Sequence, residues 1–177
     1  GKALLKALAI AFKKALEIGA AQKAIIFTES RKTQSYLLRL LADSAFKDGI
    51  VLFNGTNTDD RSKAIYAAWR DKHEGSDRIS GSKSADMRSA LVEYFREEGH
   101  IMIATEAGAE GINLQFCSLV VNYDLPWNPQ RIEQRTRTRA GVLDPGDVEP
   151  CVHHQVDHAV RVHVLAGMLQ RVGFHAI

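Results

Sequence analysis

The sequence predicts an α/β domain: a parallel sheet with helices on both faces, a three-layer sandwich. Two observations lead there. Four short apolar runs, KAIIFT at 23–28, IVLF at 50–53, HIMIA at 100–104 and SLVVNY at 118–123, have strand length and little polar alternation. Strands covered on both faces read that way. Segments with helical apolar spacing lie between them, and strands that alternate with helices build a parallel sheet.

The elements follow in order. Leu4, Leu8, Phe12 and Leu16 recur at helical spacing, with Lys2, Lys6 and Lys13 mostly off that stripe, so residues 1–20 form an amphipathic helix ended by Gly19. After the first strand, Ser30 caps a helix over roughly 31–46, with Tyr36, Leu37, Leu40 and Leu41 on its apolar face. Asn54-Gly55 breaks the second strand, and Thr58 caps a helix through Trp69. KHEGSDRISGSK at 72–83 is polar and rich in Gly and Ser, and reads as a mobile loop. Ser84 opens a helix to Arg96, and Gly99 closes it before the third strand. After the fourth, Asn128-Pro129 starts a helix, with Trp127 and Ile132 placed as a hydrophobic staple. Beyond about residue 140 the alternation dissolves. Val160, Val164 and Met168 keep some helical period in a segment dense in valine and histidine.

Composition sets outer bounds. The chain has 177 residues, 45% hydrophobic and 25% charged, with a net charge of +2, which suits one globular domain with a single good core. A pI near 8.6 permits a nucleic-acid partner without requiring one. Cys117 and Cys151 form no CxxC pair, so a reduced, cytoplasmic setting is the default. No apolar run approaches a membrane span, and lysines interrupt the N-terminal segment too often for a signal peptide. The chain opens without Met and reads as a piece of a longer protein.

In parallel sheets ligands bind beyond the carboxyl ends of the strands. Residues 28–31, 54–58, 105–113 and 122–128 are therefore where chemistry is to be sought first. TEAGAEGINLQ at 105–115 is the richest of them. Thr105 stands at a strand tip. Gly108 and Gly111 let backbone N–H groups approach an oxyanion, and Glu110 and Asn113 add polar groups. On spacing alone, a plain strand-to-helix bend that the glycines merely permit is the better reading.

FTES, FNGTNTDDR, IMIATEAGAEGINLQ and VVNYDLPWNPQRIEQR occur in that order. Over roughly residues 23–135 this succession resembles the C-terminal RecA-like lobe of superfamily-two helicases, and is most similar to the Swi/Snf-related DNA translocases. The resemblance implies a lobe that helps to hydrolyse ATP, with Mg, and to move along nucleic acid. It implies backbone-gripping roles for Thr28 and Ser30, for Asn54 and Gly55, and for Thr105. It implies that Glu110, Gly111, Asn113 and Gln134 face ATP across an interlobe cleft, and it assigns catalysis to Arg135. Phosphoryl transfer depends on positioned charge, and a guanidinium supplies planar, permanent, bidentate charge. Phosphate contacts carry no base information, so these residues do not separate DNA from RNA; DNA is preferred on the resemblance.

Two departures accompany the match. The sequence has neither a GxxxxGK[ST] loop nor the acidic magnesium motif of a first lobe. ATP and Mg are therefore expected on a partnering first RecA-like lobe, and the isolated chain is expected to hydrolyse no ATP. A non-catalytic nucleic-acid or protein-binding module on the same fold is the alternative. The last family motif is Gln-Arg-x-Gly-Arg-x-x-Arg. Aligned on Gln134-Arg135, its glycine falls on Arg137 and its later arginines on Thr138 and Gly141. Arg137 and Arg139 thus stand out of register, each residue of offset turning a helical side chain by about 100 degrees. The lobe is taken as 21–140, and 141–177 as an atypical tail. A one-nucleotide change of reading frame after Arg135 would produce such a break. Cys151, His153, His154 and His158 crowd the tail at spacings that match no zinc module, and no metal is assigned to them.

Overall fold

The computed structural model describes residues 1–105, 108, 112, 116–123, 154–157 and 160–164, the last two segments by backbone alone. The elements are α1 (Lys2–Glu17), β1 (Ala24–Thr28), α2 (Arg31–Ala42), β2 (Ile50–Phe53), α3 (Asp60–Lys72), α4 (Lys83–Glu97), β3 (Ile101–Thr105), β4 (Leu119–Tyr123), β5 (His154–Asp157) and β6 (Val160–Val164). One sheet runs in the order β2-β3-β1-β4-β6-β5. The first four strands are mutually parallel, with Ile26 opposite both Ile103 and Val121. β6 joins antiparallel to β4.

Alternate side chains of each strand point to opposite faces, and here both faces are apolar. Ala24, Ile26, Ile50, Ile101, Ile103, Leu119 and Val121 pack with Leu4 and Leu8 of α1 and Leu37 and Leu41 of α2. Ile25, Phe27, Val51, Phe53, Met102 and Val120 pack with Met87, Leu91 and Phe95 of α4, with Ile65 and Tyr66 of α3 beside them. Helices therefore cover both faces, as the sequence predicts.

Several local expectations shift. Leu16 is 68% exposed, and Ala15 takes the buried position. A strict four-residue stripe gains about 40 degrees per step, so by its fourth member it has rolled off the core. Tyr36 is exposed, and Gln34 joins Leu37 and Leu41 on the buried face of α2, which ends at Ala42. Asp59, not Thr58, caps α3: its Oδ1 accepts the Ser62 N–H at 2.9 Å and its Oδ2 the Ser62 hydroxyl at 2.6 Å. α4 begins at Lys83, ahead of Ser84. The Ser80 N–H and hydroxyl both donate to Asp86 Oδ1 in its first turn, at 2.9 and 2.6 Å, and hold that carboxyl below its usual range.

The 72–83 segment is fastened rather than loose. Glu93 of α4 accepts from Trp69 Nε1 at 3.0 Å, Lys72 Nζ at 2.9 Å, His73 Nε2 at 2.8 Å and Arg78 Nη1 at 2.9 Å. One carboxylate thus joins α3, α4 and the connection between them. Lys23, just before β1, works over longer range. Its ammonium donates to the carbonyls of Phe95 and Gly99 at the end of α4, and its own carbonyl accepts from Ser118 and Leu119. Burial lowers its pKa.

The tail segment expected to keep a helical period forms strand. VRVHV alternates β-branched with polar residues, and its period of two prevails over the sparse helical one. The helix expected from Asn128-Pro129 lies outside the described residues, and no helix among the described residues is long and apolar enough to cross a membrane.

Candidate nucleic-acid interface at the strand ends

The carboxyl ends of β1, β2 and β3 lie side by side and carry polar residues. Thr28 pairs in register with Thr105, so the two threonines sit on neighbouring strand tips, both buried. Ser30 follows as the cap of α2, its Oγ accepting the Thr33 N–H at 3.1 Å. Of the expected nucleic-acid residues, the structure therefore brings Thr28, Ser30 and Thr105 to one edge, joined by the turn after β2.

That turn is built by asparagines. Asn54 Oδ1 accepts from the Thr56 N–H at 3.1 Å, the Thr56 hydroxyl at 3.1 Å and the Asn57 N–H at 2.8 Å. In return Asn57 Oδ1 accepts the Asn54 N–H at 2.7 Å. Asn57 has φ +45, a left-handed conformation that asparagine tolerates better than most residues. Asn54 is 4% exposed. Its side chain is spent on shaping the turn. Gly55, at the crest, is exposed, with nothing within 4 Å of where a Cβ would sit.

Sequence reasoning missed Gln34. It is 3% exposed, and every polar atom of its amide is engaged. Nε2 donates to the carbonyls of Phe53 at 3.2 Å and Ile103 at 2.8 Å, and Oε1 accepts from Asn54 Nδ2 at 3.1 Å. It also missed Arg88, whose guanidinium carbon lies 5.3 Å from the centre of the Phe53 ring and so brings a positive charge beside the tip of β2. Neither had a local signal: a glutamine inside a helix reads as polar surface, and Arg88 lies far from any motif.

Gly108 closes the group. Its N–H donates to the Thr105 carbonyl at 3.0 Å and to Thr105 Oγ1 at 3.3 Å. A Cβ there would stand 2.7 Å from Asn54 Cα and 2.9 Å from Asn54 C. Only glycine fits at 108 against the turn after β2; the sequence expected this glycine to offer its N–H to an oxyanion, but that N–H is engaged by Thr105 instead.

Glu110, Gly111, Asn113, Gln134, Arg135, Arg137 and Arg139 lie outside the described residues, as do Cys151, His153 and His158. Among the described residues, no three His, Cys, Asp or Glu side chains gather to hold a metal ion.

A sheet with four adjacent parallel strands, helices on both faces and polar strand tips along one edge has the architecture of a RecA-like lobe. The chain belongs to the helicase conserved C-terminal domain family, which matches residues 34–141, and so is the C-terminal lobe of a superfamily-two helicase. It is 34% identical over 127 residues to the uncharacterized ATP-dependent helicase YqhH of Bacillus subtilis (strain 168), a match covering 71% of this chain and 22% of that protein. It is 42% identical over 66 residues to the RNA polymerase-associated protein RapA of Vibrio cholerae serotype O1 (strain M66-2), covering 36% of this chain and 6% of that one. The RapA of Pectobacterium carotovorum subsp. carotovorum (strain PC1) is 47% identical over 51 residues, 27% of this chain and 5% of the relative. The chain thus spans about a fifth or less of the length of these relatives.

Proposed function

We propose that the chain is the second motor lobe of an ATP-dependent DNA helicase or translocase. It contributes a grip on the nucleic-acid backbone and the ATP-facing side of an interlobe cleft. The observation that carries the grip is the shared edge of Thr28, Ser30, the 54–57 turn and Thr105. Hydroxyls and backbone amides at strand ends suit the holding of a phosphate chain, which needs donors but no base reading. Gly55 opens the crest of the turn to an approaching strand, and Arg88 places positive charge over the Phe53 ring at the end of β2.

On this reading Glu110, Gly111, Asn113, Gln134 and Arg135 face ATP, while ATP and Mg are held mainly by a first lobe with its own phosphate loop. Bound Mg would neutralise charge building on the transferred phosphoryl group. The chain's own part is to bring Arg135 to that charge and to move its grip when the cleft closes. The offset of Arg137 and Arg139 favours a second reading, a non-catalytic binding module.

Fluorescence anisotropy with a labelled 30-base-pair duplex, titrated over rising salt, tests the grip. Binding that weakens linearly in log salt is expected, because phosphate contacts release counterions. Binding that ignores salt, or none at low salt, overturns it. ATP turnover is expected only when the chain is joined to its first lobe. Turnover by the 177-residue chain alone refutes the division of labour, and a joined pair that binds DNA yet hydrolyses nothing supports the module.

A further inference from the structure

We infer that Gln34 is a positioning residue that holds the three strand-tip grips as one rigid unit. The inference rests on the nucleic-acid reading of the site and goes beyond it, since Gln34 lies beneath the edge and touches no ligand.

Three segments must keep fixed spacing if they are to hold successive phosphates: the β1–α2 turn with Thr28 and Ser30, the 54–57 turn, and the tip of β3 with Thr105. Backbone pairing sets the spacing of β1 against β3 up to Thr28 and Thr105. The pairing of β2 with β3 stops at Phe53 and Ala104, one residue short of the turn. Beyond that point the ladder no longer fixes the 54–57 turn.

Gln34 takes over there. It sits one turn into α2, whose cap is Ser30. Its two N–H groups reach carbonyls on two different strands, Phe53 of β2 and Ile103 of β3. Its oxygen accepts from Asn54 Nδ2, which orients Asn54 Oδ1 toward the N–H groups of Thr56 and Asn57. A single buried amide therefore ties α2, both strands and the turn. The amide is fully satisfied, and a side chain of similar size without polar atoms would remove all three of these hydrogen bonds. Gly108 lies close to the Asn54 backbone, with no room for a Cβ between them, so the turn and Gly108 share one packed contact.

The test compares the 177-residue chain with Gln34→Met, which keeps length and volume, and with Asn57→Gly. The second variant loosens the same turn from its far side and leaves Gln34 in place. Each is measured for duplex affinity by anisotropy and for amide exchange by mass spectrometry. In both variants we expect about tenfold weaker binding, with exchange accelerated at residues 54–57 while β1 and α1 keep their protection. The salt slope should stay that of the wild type, because no phosphate-neutralising charge is removed. If the wild type binds no DNA, the nucleic-acid reading falls and takes this inference with it. If the wild type binds and the loosened variants bind equally well, the inference alone is overturned. Loss of binding with exchange raised evenly throughout the chain overturns it too, because Gln34 would then serve only general stability. Should Gln34→Met fail to fold, Gln34→Ala, which leaves room for water at the same carbonyls but no tie between them, decides in the same terms.

Discussion

Replacing Glu93 by glutamine should destabilise the chain at neutral pH and lose most of that effect in acid. Burial alone would push this carboxyl up, but the hydrogen bonds from Lys72, His73 and Trp69 and the His73 charge outweigh it and hold its pKa at about 2, down from 4.5. A fall of that size corresponds to roughly 3 kcal/mol of folding stability, at about 1.4 kcal/mol per pH unit. Part of it is screened. Lys72 and Arg78 are 52% and 64% exposed, whereas Glu93 and His73 are 13% and 12% exposed. Discounting the exposed pairs leaves about 2 kcal/mol. The folded carboxyl titrates below its unfolded value, so its stabilisation is fully present above about pH 4.5 and fades as pH falls towards 2. Urea unfolding of wild type and Glu93→Gln at pH 7, and again near pH 3, measures the gap at each. A gap that stays constant between the two pH values, or one below about 0.5 kcal/mol at pH 7, would show that the cluster is surface decoration rather than a fastening.

Gly108→Ala should cost about 1–3 kcal/mol, since its Cβ would press on backbone atoms that cannot swing aside, and thermal melting measures this. The same variant should bind duplex DNA more weakly at a temperature where it remains folded. Asp59→Ala should cost about 1 kcal/mol through loss of the α3 cap, seen as a lower urea midpoint with an unchanged slope.

Much of the fold was legible because strands buried on both faces advertise themselves. The run KAIIFT became β1 over Ala24–Thr28, and IVLF became β2 residue for residue. Once the strands were placed, the rule that ligands sit beyond their carboxyl ends brought Thr28, Asn54 and Thr105 into view. The positions lost were those decided by distant partners. Thr58 and Asp59 are both good caps, and only the Ser62 contacts choose between them. The 72–83 connection has the composition of a loop, but Glu93 fastens it from the next helix, a contact that no window of neighbouring residues contains. Gln34 was hidden for the same reason: its value lies in two strands and a turn 19 to 69 positions away. Asn54 was found for its position, whereas its side chain proves to be an internal scaffold of the turn.

Lys23 bears on the order in which the molecule comes together. Its ammonium meets the carbonyls of Phe95 and Gly99 across 72 and 76 positions of chain. The backbone of α4 closes on the Tyr94 carbonyl through the Glu98 and Gly99 N–H groups, but two further carbonyls at its end take their donor from the start of the sheet. Until β1 has docked beside β3, those two carbonyls must be satisfied by water. Loops of that span close at an entropic cost that only the assembled sheet repays. The start of the first strand and the end of the fourth helix are thus joined by one long-range contact, which forms only when positions 23 and 95–99 have been brought together.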